Sequence, residues 1–386
     1  MTDTVLSTPE RLKSLAAVIT AAAVVGMLLS LTLPLLAILM EQRGASARFI
    51  GANSAMPALS MLVITPFIPR IIARVGTMRL LVACLILSIF TLTAFRLTDN
   101  LWLWFPIRIL NGLAIVHVFV ISETWIQTLA EKNSRGRLIA IYTVAFSLGW
   151  AMGPFILTLT GTEGWLPFLV GDALILVAIV VLLTARNRAP KLGGTHHKAP
   201  ISLIFERPAI FGAVLAFSAI ETGIFGLLPV YGMRNGLEPA DAAIMLTALG
   251  LGSMVFQYPL GALSDRFGRH GMLLLCALSG VAGAAVLPHM MATYWPLLIS
   301  LFLWGGMIAG MYTISLAALG DSYDGADLSA ATASFTVVYG VGSLISPPVS
   351  GLAMDIWNPH GLMFVLGLIS GVFCIIAGWR WIVASR

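Results

Sequence analysis

Apolar residues in this chain gather into twelve long blocks, each ended by a short polar or charged turn. A helix needs about 20 residues to cross roughly 30 Å of hydrocarbon at about 1.5 Å per residue. The blocks have that length, falling at 14–40, 49–69, 78–97, 101–129, 138–160 and 165–185, then at 208–232, 242–262, 271–292, 295–319, 328–352 and 361–382. The block at 328–352 is the least hydropathic, rich in Ser, Thr and Gly, and is kept because its counterpart half a chain earlier is clear. Short segments of alternating polarity, which a transmembrane β-barrel requires, do not occur. The pattern predicts an all-α membrane protein with twelve transmembrane helices.

The turns between blocks carry a repeat. Gly261-Ala262-Leu263-Ser264-Asp265-Arg266-Phe267-Gly268-Arg269 is a tight charge cluster between two apolar runs, and a weaker copy lies 192 residues upstream. There Arg70, Arg74, Gly76 and Arg79 keep the framework, while Ala73 stands where Asp265 would be. Gly149-x-x-x-Gly153-Pro154 finds its match in Gly342-x-x-x-Ser346-Pro347 at an offset of 193. Two landmarks with nearly one shift indicate a duplicated six-helix unit in parallel topology. The expected organisation is a six-helix bundle over 1–190, a linker over 191–207 and a second six-helix bundle over 208–386. His196 and His197 in the basic linker read as a solvated pair rather than a metal site.

Composition agrees with a bilayer protein: 59% of residues are hydrophobic and 10% charged, against roughly 45–50% and 25% in soluble domains. Lys and Arg in short loops set orientation. Placing the N-terminus in the cytoplasm leaves 17 of the 22 basic residues on that side, with only Arg43, Arg48, Arg96 and Arg234 outside and Arg108 within a span. The net charge of +5 is then a topological bias and not a nucleic-acid footprint. Trp102, Trp104, Trp165, Trp295 and Trp357 near outer span ends fit an interfacial belt. The block after Arg11 and Lys13 is too long for a leader's apolar region and reads as a retained first helix. Cys84, Cys276 and Cys374 lie in apolar runs without paired spacing and read as free thiols, with no metal site.

These motifs resemble the major facilitator superfamily of transporters along essentially the whole chain. Its loop signature between spans two and three is met by Gly261, Asp265, Arg266, Gly268 and Arg269, and its first-half copy is degraded. Arg108-Ile109-Leu110-Asn111-Gly112 looks like the family's fourth-span arginine motif, and Gly149-x-x-x-Gly153-Pro154 looks like its fifth-span motif, associated with antiport. Glu123-Thr124-Trp125, Arg135-Gly136-Arg137 and Gln257-Tyr258-Pro259-Leu260-Gly261 are similar to a bacterial branch, YcaD-like. The resemblance implies two six-helix bundles around one central cavity, with alternating access by rocking of the halves.

Ionisable groups deep in a span are costly to insert, about 2.5–3.5 kcal/mol at a helix centre, and so mark function. Glu221 lies thirteen residues into the seventh span with no basic residue near it in sequence, where a carboxyl can bind and release a proton; the alternative is a structural carboxyl bonded to a neighbouring helix. Arg108 is placed to hold an anionic substrate or to sense a carboxylate, or else it snorkels outward. Glu123, fifteen residues further on, sits near the cytoplasm and with Arg135 and Arg137 reads as a gating network. Asp265, Arg266 and Arg269, with Arg74 of the first-half copy, read as bonds that hold the cytoplasmic side closed, against the plainer reading of topological anchoring. His117, Asn53, Gln257 and Tyr312 are candidates for the cavity lining, each with a structural alternative, and Asp172 reads as an interface residue. Gly149, Gly153, Pro154, Gly342 and Pro347 are expected at a moving helix interface.

No Walker-type phosphate loop, His-Glu-x-x-His metal site or Gly-x-Ser-x-Gly elbow occurs. The reading is a secondary active transporter with no cofactor, working as a monomer in a bacterial inner membrane with both termini cytoplasmic. It moves a small organic solute by proton-coupled export. Proton-coupled uptake, a non-transporting membrane sensor or assembly partner and, more remotely, an intramembrane enzyme are the alternatives.

Overall fold

A computed structural model describes residues 8–129, 135–186 and 202–384. It contains twelve helices long and apolar enough to span a membrane: α1 (Lys13–Gln42), α2 (Ala47–Val75), α3 (Thr77–Leu97), α4 (Leu101–Ile126), α5 (Ile141–Thr160), α6 (Leu166–Thr184), α7 (Pro208–Arg234), α8 (Pro239–Phe267), α9 (Arg269–Met290), α10 (Tyr294–Ser322), α11 (Ala330–Ile356) and α12 (Gly361–Trp379). Each apolar block becomes one span, because a helix is the element that satisfies every backbone polar group within itself where water is absent. The Ser/Thr/Gly-rich block does form a helix, running through Pro347 and Pro348. Its hydroxyls return to the backbone: Ser334 donates to the Ala330 carbonyl at 3.1 Å and Thr336 to Thr332 at 3.0 Å. By contrast α2 is broken, at Ala55 and again at a 3₁₀ turn over Thr65–Phe67, where Pro57, Pro66 and Pro69 remove backbone donors.

The helices form two six-helix bundles, α1–α6 and α7–α12. The repeat appears in the backbone as well as in the sequence. Gly76 between α2 and α3 adopts φ 89°, ψ 145°, and Gly268 between α8 and α9 adopts φ 86°, ψ 139°. Such backbone is strained for any residue with a Cβ, by about 1–3 kcal/mol, so both turns demand glycine. Gly44 and Gly236, again 192 apart, also take positive φ, at 76° and 91°.

Small residues set the packing inside each half. A Cβ on Gly149 of α5 would strike the Ala23 backbone of α1, and one on Gly153 would strike Ser30 and the backbone of Met27 and Leu31. In the second half a Cβ on Gly342 of α11 would meet Leu215, Ser218 and Ala219 of α7. The fifth helix of each bundle is therefore pressed onto its own first helix. Gly149, Gly153 and Gly342 thus lie at helix interfaces inside each half. The seam between the halves is built by other residues: a Cβ on Gly51 of α2 would strike the Pro347 backbone of α11, and one on Gly351 would strike Ala47 and Arg48 of α2. Pro347 alone of the predicted interface set lies on it, and Pro154 sits inside α5 one residue beyond Gly153.

Trp102, Trp165, Trp295 and Trp357 are exposed at span ends, as a belt requires. Trp104 is fully buried instead, edge-on to Phe95 at 5.4 Å and donating to the Thr98 carbonyl at 3.2 Å. Both cues, an aromatic ring and a span end, also fit a ring that closes the top of a bundle.

Candidate functional site

The bundle has two ends. The terminal end carries the start of α1, the Asp265 turn and the end of α12; the far end carries the α1–α2 and α7–α8 turns. The halves are clasped at the far end. Arg234, last residue of α7, donates from Nε and Nη2 to both carboxylate oxygens of Glu41 on α1, at 2.8 and 3.0 Å. Its Nη1 reaches the Asn358 side-chain oxygen at 3.0 Å and stands 3.7 Å from Asp355 of α11. Asp355 in turn crosses to the other half, accepting from the Ala47 and Arg48 backbone amides at 2.8 and 3.0 Å. It thereby occupies the positive N-terminus of α2, the place where a carboxylate is most favoured. Deeper in, Trp150 of α5 lies 4.9 Å from Phe225 of α7, and Gly250 of α8 lets Ala151 of α5 approach closely. Among the described residues, the hydrogen bonds and ion pairs joining the halves lie at this far end.

Charged residues at the terminal end bond within one half. Arg269 holds Asp265 at 2.8 Å, Asp321 at 3.0 Å and the Ser264 hydroxyl at 2.6 Å. The acid at the last turn of α8 opposes that helix's negative end, and Arg269 offsets it. Arg266 stacks beside Phe267 at 5.5 Å, and Gly261 lets Thr313 of α10 lie close by. In this conformation the cluster ties α8, α9 and α10 together without reaching the first half, whose Arg74 is exposed. Arg135 and Arg137 begin the helix that becomes α5, and their side chains lie outside the described residues, as do His196 and His197.

Between these ends lies a carboxylate at mid-depth. Glu221 is half-buried at the midpoint of α7, on a helix whose neighbouring positions Ala219, Ile220 and Gly223 are buried. The Tyr339 hydroxyl of α11 donates to its Oε2 at 2.7 Å. Tyr312 of α10 completes a ring cluster, 5.2 Å from Phe217, 5.7 Å from Phe335 and 6.4 Å from Tyr339. Glu123, exposed near the terminal end of α4, belongs to the other half. Tyr312 lies within electrostatic reach of both Glu123 and Glu221. Tyr142 of α5 is buried and also within electrostatic reach of Glu123.

The other predicted residues are placed differently. Arg108 is 1% exposed, its Nε and Nη1 have no hydrogen-bond partner, and no described carboxylate lies within electrostatic reach of it. It neither snorkels nor meets Glu123. Asn53 is likewise 1% exposed with its Nδ2 unpartnered. His117 is buried, Nδ1 donating to the Leu113 carbonyl at 2.7 Å, and its Nε2 faces no partner. Gln257 is half-buried, seven residues below Gly250 and so on the face of α8 that meets α5. Asp172, early in α6, accepts from Thr93 of α3 at 3.1 Å inside the first bundle.

Sequence reasoning missed the clasp, although a signal for it existed. Glu41 and Arg234 are 193 residues apart, the repeat offset itself, and they carry opposite charge at equivalent ends of α1 and α7. Equivalent positions of a two-fold repeat meet where their helices flank the axis, so opposite signs there predict a pair.

The family model described as Major Facilitator Superfamily matches residues 18–243 and 233–386. The chain is 28% identical over 347 residues to the MFS-type transporter YfkF of Bacillus subtilis (strain 168), covering 87% of each chain. It is 24% identical over 330 residues to the MFS-type transporter YcaD of Salmonella enteritidis PT4 (strain P125109), covering 84% of this chain and 85% of that one. Among solved structures, a variant of the nucleoside transporter NupG superposes with TM-score 0.79 at 13% identity, over 97% of this chain and 100% of the other. An inward-facing, unoccupied bacterial homologue of the human lysosomal transporter Spinster gives 0.73 at 17% identity, over 99% and 98%. Two helical bundles joined at one end, a carboxyl at the midpoint of α7 and these likenesses agree: the chain belongs to the Major Facilitator Superfamily and is a multi-pass membrane transporter, not an enzyme.

Proposed function

We propose that this transporter exports a small organic solute in exchange for protons, with Glu221 as the group that carries the proton. The observation that supports this most strongly is the placement of Glu221. It sits at mid-depth, half-buried, bonded to Tyr339 and without a basic partner among the described residues. A membrane-embedded carboxyl with no fixed counter-charge changes its interactions most when a proton binds. The terminal end is the cytoplasmic one on the Lys/Arg bias, in a bacterial inner membrane, and one chain provides a complete path as a monomer. The clasped far end and the exposure of Glu123 toward the terminal end then correspond to a state open to the cytoplasm. Asp265, Arg266 and Arg269, with Arg74, Arg135 and Arg137 of the first half, close that side in the opposite state. Arg108, buried and unpaired, positions α4 within the first bundle.

The sign of proton movement tests the direction of coupling. Proteoliposomes are loaded with a pH-sensitive dye and given an acidic interior, and a panel of organic cations, anions and neutral compounds is added outside. Exchange predicts that a transported compound makes the interior more alkaline. Further acidification would establish uptake with protons in its place, and flux indifferent to the pH gradient would defeat proton coupling.

A further inference from the structure

We infer that the far end of the first bundle holds the head group of a zwitterionic aminophospholipid, its phosphate on Arg43 and Arg96 and its ammonium on Glu163. A cavity of about 280 Å³ opens there, among the end of α1, the end of α3 and the α5–α6 turn. Phe95 and Phe168, both buried, form its floor, and Arg43, Arg96 and Glu163 stand around it. The site is separate from Glu221 and does not depend on what is transported.

The arginines are set in place by the protein itself. Arg43 lies over the Trp104 ring at 5.1 Å, its Nη1 donates to the Thr98 carbonyl at 3.4 Å and its Nη2 stands 3.4 Å from Asp99. Arg96 lies over the Trp165 ring at 5.3 Å and donates from Nε to the Gly164 carbonyl at 3.1 Å. Its two terminal nitrogens have no partner among the described residues, and such a guanidinium edge suits a phosphate. Glu163 is carried by a turn in which Gly161 and Gly164 take positive φ, at 71° and 72°. Among the described residues its carboxylate makes no ion pair or hydrogen bond.

These charges select the ligand. Arg43 is offset by Asp99, whose side chain is 96% exposed, so one positive and one negative charge remain around the cavity. An anion gains at Arg96 and loses at Glu163, and a cation does the reverse. A neutral head with separated charges pairs with both. A primary ammonium donates hydrogen bonds to Glu163, which a quaternary one cannot, and the nearby indoles already carry arginines in place of a cationic ligand. Leu97, next to Arg96, and Leu166 and Leu169, on either side of Phe168, are exposed, and Trp165 belongs to the interfacial belt. The cavity therefore sits at the level of lipid head groups, with apolar surface for acyl chains next to it.

The test is lipid binding to purified full-length protein washed free of lipid in detergent, read by native mass spectrometry. The probes are phosphatidylethanolamine, phosphatidylcholine and phosphatidylglycerol with identical acyl chains. Phosphatidylethanolamine should bind wild type at least about fivefold more tightly than either other lipid, the size of one partly exposed ion pair. Arg96→Gln should weaken that binding by about the same factor, and Glu163→Gln should abolish the preference over phosphatidylglycerol. Arg48→Ala, which removes an exposed arginine at the same end but outside the cavity, should leave all three affinities unchanged. Equal affinity for the three lipids, a wild-type preference in both Arg96→Gln and Glu163→Gln, or an equal effect of Arg48→Ala would overturn the inference. Glycerophosphoethanolamine competing as well as the lipid at equal concentration would also overturn it, by making the site one for a soluble zwitterion.

Discussion

Replacing Glu221 with Gln is expected to reduce net transport driven by a pH gradient to the level of protein-free vesicles, while exchange of solute for solute persists. The amide keeps the volume of the side chain and can still pair with the Tyr339 hydroxyl, now 2.7 Å from the carboxylate. It cannot take up or release a proton. Net exchange requires the carrier to return loaded with a proton, and the variant has none to carry. Solute exchange needs only that the halves rock with solute bound, so its survival separates lost coupling from lost folding. Simultaneous loss of both fluxes in a stable Glu221→Gln protein would place Glu221 in solute binding alone.

Replacing Arg234 with Ala should open the far end. The guanidinium makes a bidentate bond to Glu41 and stands beside Asp355, with side-chain exposures of 16%, 17% and 24%. Hydrogen bonds to charged groups contribute about 1.5–3 kcal/mol each, and removing one partner leaves the others half-buried and uncompensated. A loss of about 1.4–2.8 kcal/mol moves the equilibrium between far-end-closed and far-end-open states by roughly 10- to 100-fold. Ser54 reports on it, because it is 7% exposed and a Cβ on Gly226 of α7 would lie 2.9 Å from its own Cβ. Cysteine at position 54 should react slowly with a membrane-impermeant maleimide, and faster by that factor once Arg234 is Ala. Glu41→Gln should act in the same direction with a smaller effect, since Asp355 still holds α2. An unchanged labelling rate would mean that the seam of Gly51, Pro347 and Gly351 closes the far end without the ion pair.

How far each feature could be read from the chain depended on whether its cause was local. Span length and turn placement follow from transfer of apolar segments out of water, so the twelve helices and the repeat appear in one-dimensional pattern. The depth of Glu221 is likewise set by counting along α7. Its hydrogen-bond partner Tyr339 lies 118 residues away, and nothing in the neighbourhood of either residue names the other. Glu123 read as a gating charge because it sits near the end of α4; only the crossing of the halves brings it toward Tyr312. Gly149 and Gly342 were legible as close-contact positions but not as to which helix they touch, because a small residue signals approach without naming a partner. Glu41, Arg234 and Asp355 resembled ordinary loop charges, and the repeat offset between the first two was the one clue that they meet.

The central claim is that a proton on Glu221 biases two halves that open at opposite ends. It is tested most directly by electron-spin distance measurements on protein whose Cys84, Cys276 and Cys374 have been replaced. One label pair sits at exposed Leu97 and Trp295 on the far end, and another at exposed Arg79 and His270 on the terminal end. Moving from alkaline to acidic buffer should shift the two distance distributions in opposite directions, and Glu221→Gln should hold both at their acidic values at every pH. Distributions that move together, or a Glu221→Gln protein that still responds to pH as wild type does, would contradict it.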